Sequence, residues 1–331
     1  MKLHRHTSTA AVLLVGATLL VSIAYSNATE NNEGTPSPSG PNNLLRNGHK
    51  RRLRGIDPKS VEPRLPGGPL PIVTADAQGA PMLDTSLIRS VFNGRKEVSK
   101  DAIVNMWTMT SQEHKTFAKE AVRRINENGV VGDIVECGVW MGGMTMLMVF
   151  ANMKKDTTRH FWLFDTFEGL PEPDPEMDGA RANGIYADLQ AGKRTKKIRY
   201  DHITGTMMDG KWNYGPIDIV KNNLQYTGYP AENFHLVTGK VEDTLPVVPL
   251  PEKIAILRLD TDWYLSTKAE LEYMYDRLQP GGVLIIDDFC AWDGAKKAVV
   301  EFFRDTLKLD ANQINKDQKK EGMPCLAYWK P

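Results

Sequence analysis

Four aspartates occupy two short motifs. Asp260 and Asp262 flank Thr261 in "LRLDTDWYLST" (257–267), where an apolar run ends, and Asp287 and Asp288 end a second run, "GGVLIIDDF" (281–289). Side chains alternate along a strand, so Asp260 and Asp262 point to one side and Thr261 to the other. Carboxylates gathered this closely repel one another unless a cation sits among them. A donor set of oxygens without Cys or His selects a hard ion, Mg²⁺ or Ca²⁺. Such an ion lowers the pKa of a hydroxyl it chelates. The expected arrangement is Asp260, Asp287 and Asp288 as metal ligands, with Asp262 as general base. Ligand and base roles are interchangeable at this stage. His202, in "RYDHITG", is a competing base.

A second motif, "VECGVWMGG", sets Gly138, Gly142 and Gly143 between an apolar run and a helical pattern, with Glu136 just before them. Glycines there allow a tight turn and let a ligand approach the N–H groups at a helix start. Asp165 ends the following apolar run, about 20 residues on, the position from which an acid can bind ribose hydroxyls. A dinucleotide site gathers phosphate oxygens and avoids a neighbouring carboxylate. S-adenosylmethionine carries no phosphate, an ammonium group and a sulfonium, so an acid beside the turn suits it.

These residues need a scaffold that brings strand ends together. Strand-like runs "DIVECGVW", "HFWLFDTF", "FHLVTG", "KIAILRLD", "VLIIDD" and "CLAYWK" alternate with helical patterns. The latter include "SQEHKTFAKEAVRRINENG", with a Ser111 cap, and "STKAELEYMYDRLQPGG", with a Ser266 cap. The runs are continuously apolar, which predicts an α/β fold: a mostly parallel sheet covered by helices on both faces. Its ligands belong in the crevice at the carboxyl ends of the strands.

The chain has 331 residues, 41% hydrophobic and 25% charged, and its 41 basic and 41 acidic residues cancel. No excess charge calls for nucleic acid or an anionic membrane surface. Cys137, Cys290 and Cys325 are too few for a disulfide framework and are expected as buried thiols. Residues 1–26 read as a signal peptide: a basic start, the apolar "AAVLLVGATLLVSIA" and a small-residue exit. Left uncleaved, the segment would anchor the chain in a membrane. Residues 27–94, rich in Pro, Gly, Asn and Ser, read as a disordered linker or pro-segment, and 95–331 as the folded domain. Arg51-Arg52-Leu53-Arg54 resembles the RxLR host-targeting signal of secreted oomycete effectors. The expected location is the secretory pathway.

The segments "GDIVECGVWMGG", "FWLFDTFEGLPEPD", "GKVEDTLP", "LRLDTDWYLST", "LQPGGVLIIDDFCAWDGAKKAVVEFF" and "AYWK", in this order, resemble the macrocin O-methyltransferase (TylF-like) family. The resemblance implies a Rossmann-like class I methyltransferase fold, S-adenosylmethionine as methyl donor, Mg²⁺ and a sugar hydroxyl as acceptor. It places Glu136, Gly138, Gly142 and Gly143 at the methionine end of the donor, Asp165 at the ribose, and Asp243 and Thr244 near the adenine. Thr108 and Met109, in "TMT", fall in a stretch that closes over the cofactor. The chain departs from the family at Cys137, where Thr is common, and at Met141, where Arg is common. The stretch from Pro171 to Pro216 is expected as a substrate lid.

The resulting expectation is a metal-dependent O-methyltransferase acting on a sugar-like or vicinal-diol hydroxyl of a small molecule. A homo-oligomer is compatible with it. Two alternatives are a secreted effector that keeps the fold as a binding module, and a catechol-type enzyme acting on phenols.

Overall fold

Apolar runs bounded by polar turns become strands buried on both sides. A computed structural model describes residues 61–62, 73–75, 81–83, 99–192, 211–320 and 325–331. Three short strands come first: Val61–Glu62 (β1), Val73–Ala75 (β2) and Pro81–Leu83 (β3). They fall inside the segment expected to be linker. β2 and β3 pair with each other, and β1 joins the main sheet. The signal-like segment, the RRLR cluster and His202 lie outside the described residues.

The main sheet is built from Asp133–Cys137 (β4), Phe161–Asp165 (β5), Phe234–Thr238 (β6), Ile254–Leu259 (β7), Leu278–Ile286 (β8) and Leu326–Trp329 (β9). Its order among the described residues is β1-β6-β5-β4-β7-β8-β9. Strands β4 to β8 are parallel, with β1 and β9 antiparallel at the edges. The chain leaves β4 toward β5 on one side, while β7 returns on the other, so the switch in strand order falls between β4 and β7. The fold is the expected α/β class.

Alternate strand residues feed two cores. Ile134, Phe161, Leu163, Ile256 and Ile285 pack with Lys100–Met106 (α1), Gln112–Glu127 (α2) and Gly143–Asn152 (α3). Val135, Phe164, Leu257, Leu259 and Ile286 face the other way, toward residues that include Val241, Leu271 and Val299. Burial on both faces is why these strands show no polar alternation.

Further helices are Gly179–Gln190 (α4), Ile217–Tyr226 (α5), Val241–Thr244 (α6), Tyr264–Met274 (α7), Asp293–Phe302 (α8) and Ala311–Lys320 (α9). Ser111 caps α2 as expected, its side chain accepting from the His114 N–H. The cap of α7 is corrected. The helix begins at Tyr264 with Trp263 in the cap position, and Asp178 Oδ1 accepts from the Tyr264 N–H at 2.7 Å. Ser266 lies inside the first turn and donates back to the Trp263 carbonyl. Part of the expected lid, Gly179–Gln190, is a helix.

The cysteine expectation is also corrected. Cys290 and Cys325 form a disulfide, tying the turn after β8 to the start of β9, while Cys137 is a buried free thiol. No helix among the described residues is long and apolar enough to cross a membrane.

Candidate active site

A cavity of about 370 Å³ lies at the carboxyl ends of the parallel strands. On one side it is bounded by the turn after β4. Gly138 has a φ of 81°, and a Cβ there would fall on the carbonyl of Asp260. Only glycine lets the ends of β4 and β7 meet this closely. Gly142 is the left-handed cap residue of α3, and the Gly143 N–H is bonded to the Trp107 carbonyl at 2.9 Å. Gly138 lines the cavity, and Gly142 and Gly143 shape the turn behind it.

Asp165 holds that turn from β5. Its Oδ2 accepts from the N–H groups of Val139 (2.7 Å) and Trp140 (2.9 Å), and its Oδ1 from that of Phe167 (2.7 Å). Burial pushes this carboxyl above the usual range, and the three N–H bonds pull it back. With the Thr166 hydroxyl, which donates to Oδ1 at 3.4 Å, all of the about four acceptor positions of a carboxylate are used within the protein. The residue expected at the ribose is also the tie that shapes the glycine turn.

The four aspartates converge on the same cavity: Asp260, Asp262, Asp287 and Asp288 all line it. The cation among them is Arg258, from within β7. Its Nη1 is 2.7 Å from Glu136 Oε1, and its Nη2 is 2.8 Å from Asp260 Oδ2 and 3.2 Å from Asp287 Oδ1. Nη2 also donates to Thr110 Oγ1 at 3.1 Å. Arg258 and Glu136 are each 1% exposed. Glu136, expected to meet an ammonium group, is paired with Arg258 and accepts from the Thr145 hydroxyl. Burial raises its carboxyl, and Arg258 opposes the shift.

Asp262 sits at a φ of 68°, a left-handed conformation that non-glycine residues seldom adopt. Its N–H donates to Asp288 Oδ2 at 3.0 Å. Burial raises the Asp262 carboxyl to about 7, with the Trp292 side chain hydrogen-bonded to it and opposing the shift. Burial also drives Asp260 and Asp288 well above the carboxylate range. One guanidinium does not balance this many acids at their usual values.

The segment after α1 forms another wall. Thr108 and Met109 line the cavity, the former nearly buried and the latter half exposed. Asp243 and Thr244 do not line it. Lys240, Val241 and Glu242 do, while Thr244 is buried beneath and its hydroxyl turns to the Val241 carbonyl. Met141 is wholly buried in the core. Trp263 also lines the cavity, its indole donating to the Pro171 carbonyl at 3.0 Å, and it packs edge-to-face with Trp212 and Trp292.

Sequence reasoning missed Arg258 and the tryptophan cluster. Arg258 had a signal: it is the one charged residue in the strand "IAILRL", where burial demands partners. The tryptophans come from three separate segments, and their meeting left no mark in the spacing.

The acids at the cavity are oxygen donors of the class that hard divalent cations take. Arg258 engages one oxygen of Asp260 and one of Asp287, and the Asp262 N–H engages one of Asp288, which leaves a second oxygen on each outside those bonds. Among the described residues, no three His, Cys, Asp or Glu side chains are placed so that together they could hold a metal ion.

The macrocin-O-methyltransferase (TylF) family matches residues 84–323. The chain is 30% identical over 225 residues to the 8-demethyl-8-(2,3-dimethoxy-alpha-L-rhamnosyl)-tetracenomycin-C 4'-O-methyltransferase of Streptomyces olivaceus, covering 66% of this chain and 78% of the relative. It is 28% identical over 213 residues to the mycinamicin III 3''-O-methyltransferase of Micromonospora griseorubida, covering 62% and 74%. The solved structure of the O-methyltransferase NovP aligns over 68% of this chain and 90% of its own, with a TM-score of 0.49 and 23% identity. A family match over most of the chain, on a parallel sheet whose strand ends meet in one acid-lined cavity, identifies the protein as an S-adenosylmethionine-dependent O-methyltransferase of the macrocin-O-methyltransferase family.

Proposed function

We propose that this O-methyltransferase acts on a hydroxyl of a sugar-like acceptor and works with a hard divalent cation held by Asp260, Asp287 and Asp288. One observation carries the reading. The two aspartate pairs and the glycine turn line one cavity, with more buried acid than Arg258 can neutralise. The relatives support the acceptor class, since one is named for a rhamnosyl-bearing substrate.

When bound, S-adenosylmethionine supplies an activated methyl group, and the cation supplies charge that favours an ionised acceptor hydroxyl. The protein's own groups do the rest. Asp165 fixes the turn around Gly138 through three backbone N–H bonds. Arg258 holds Glu136, Asp260 and Asp287 in fixed relation. Asp262, raised to about 7, accepts the acceptor's proton near neutral pH.

The secretory location follows from the apolar N-terminal segment, and the Cys290–Cys325 bond supports it, because such bonds persist in oxidising compartments.

The test is calorimetric titration of the full chain with S-adenosylhomocysteine, with and without Mg²⁺, followed by a screen of methyl glycosides and of catechols as acceptors. Binding of the nucleoside, and turnover of a glycoside that requires Mg²⁺, would support the reading. Glycoside turnover undiminished by a metal chelator would remove the metal, and turnover of catechols alone would remove the sugar.

A further inference from the structure

Beneath the cavity floor lies a carboxyl group that the proposed chemistry does not use. Glu270, on α7, is fully buried, at 0% exposure. Its Oε1 accepts from the Thr261 hydroxyl at 2.9 Å, and its Oε2 has no hydrogen-bond partner. Thr261 is the residue between Asp260 and Asp262, just past the end of β7, and its hydroxyl is turned to Glu270. The Cys137 thiol, at the end of β4, is a close neighbour of Glu270. The Cys137 carbonyl accepts from the Asp260 N–H at 2.8 Å. Glu270 thus touches the ends of β4 and β7 at the point where the strand order switches.

The turn above it needs holding. Asp262 is in a left-handed conformation without being glycine, a strain that persists only where the surroundings over-determine it. From the far side, Asp288 Oδ2 accepts from the Asp262 N–H. From below, the Ser266 hydroxyl reaches the Thr261 carbonyl at 3.3 Å, and Glu270 takes the Thr261 hydroxyl.

We infer that Glu270 is a positioning residue, which through Thr261 sets the direction in which Asp260 and Asp262 enter the active site. The inference rests on the roles proposed above for those two aspartates. A carboxyl buried with one oxygen unpaired is costly in a position of no consequence. Here it lies one residue from each aspartate and is bonded to the hydroxyl between them. Burial raises its carboxyl well above the ordinary glutamate value, which opposes a further charge beside the acid cluster.

The test uses the full chain, with amide hydrogen exchange as the main readout. Three bonded amides report on the turn: Asp260 to the Cys137 carbonyl, Asp262 to Asp288, and Trp263 to the Thr261 carbonyl. Glu270→Ala is expected to speed their exchange about tenfold, with the β5 amides unchanged. Thr261→Val, which removes only the hydroxyl, is expected to match it, and the double variant to be no worse than either alone. Glu270→Gln keeps an acceptor and is expected to restore protection. In the presence of S-adenosylhomocysteine, the same two defective variants should bind Mg²⁺ about tenfold more weakly than wild type. Turn amides as protected in both Glu270→Ala and Thr261→Val as in wild type would overturn the inference, and so would failure of Glu270→Gln to restore them. If wild type takes no Mg²⁺, the metal reading falls on that result alone, while the exchange data still decide the role of Glu270.

Discussion

Nη1 of Arg258 lies 2.7 Å from Oε1 of Glu136, and the pair bridges β4 and β7 with both side chains out of water. Buried pairs of this kind cost desolvation on both sides, and removing one partner leaves the other charge stranded. Arg258→Met is therefore expected to destabilise the fold by about 3–5 kcal/mol. Arg258→Lys should not restore it, because a single ammonium cannot reach Glu136, Asp260 and Asp287 together as the fork does. Chemical denaturation of the three proteins checks both statements.

Asp165→Ala removes the acceptor of three turn N–H groups and should weaken S-adenosylhomocysteine binding by at least about tenfold. Asp165→Asn should fall between the two. Its single carbonyl oxygen can serve Val139 and Trp140 or else Phe167, but not all three. Calorimetric affinities order the series. Equal affinities in all three would remove Asp165 from the donor site.

Asp262→Asn should lower kcat by about 10²–10⁴ on any acceptor the screen finds, with S-adenosylhomocysteine affinity unchanged. The same group sets a pH limb. A general base works as the carboxylate, and burial raises this one to about 7. Turnover should then rise from pH 6 to pH 8 and flatten above. Wild-type turnover in Asp262→Asn would exclude Asp262 as the base.

Glu270 gives a pH signature in stability. Burial holds its folded pKa well above the ordinary glutamate value. As pH rises past the unfolded pKa of about 4.3, the unfolded chain releases this proton and the folded protein keeps it. Stability is therefore lost with rising pH until the folded pKa is reached. Glu270→Gln removes that contribution, so the variant should gain on wild type as pH rises from 5 to 8. Denaturant midpoints at several pH values measure the difference.

The Cys290–Cys325 bond closes a loop 35 residues apart in sequence and ends the turn that carries Asp288. Cys290→Ser with Cys325→Ser should cost about 2–4 kcal/mol. Wild type treated with a dithiol reductant should melt like the double variant, and reductant should leave the double variant unmoved.

The sheet was legible because two-sided burial writes a continuous apolar run into the sequence, and the four aspartates were legible because they end such runs. The cap of α7 was not, because Asp178 arrives from a distant segment to accept from the Tyr264 N–H. Nor was the disulfide: two cysteines 35 residues apart carry no spacing signal. Asp243 and Thr244 were placed by resemblance, yet the cavity is lined by Lys240, Val241 and Glu242, on the same short turn. Glu270 sits in a helical pattern like any surface acid, and only the packing of α7 against β4 and β7 turns it inward.

A last consequence follows from Gly138. A side chain there would collide with the backbone of Asp260, so the donor turn and the aspartate turn form one joint that cannot be loosened on one side alone. Change in acceptor preference must then come from segments that border the cavity without entering that joint. The 169–174 loop and Asn213 do so, pinned from above by Trp212 and Trp263. A library built to alter the acceptor should vary those loops and leave residues 136–138 and 258–262 untouched.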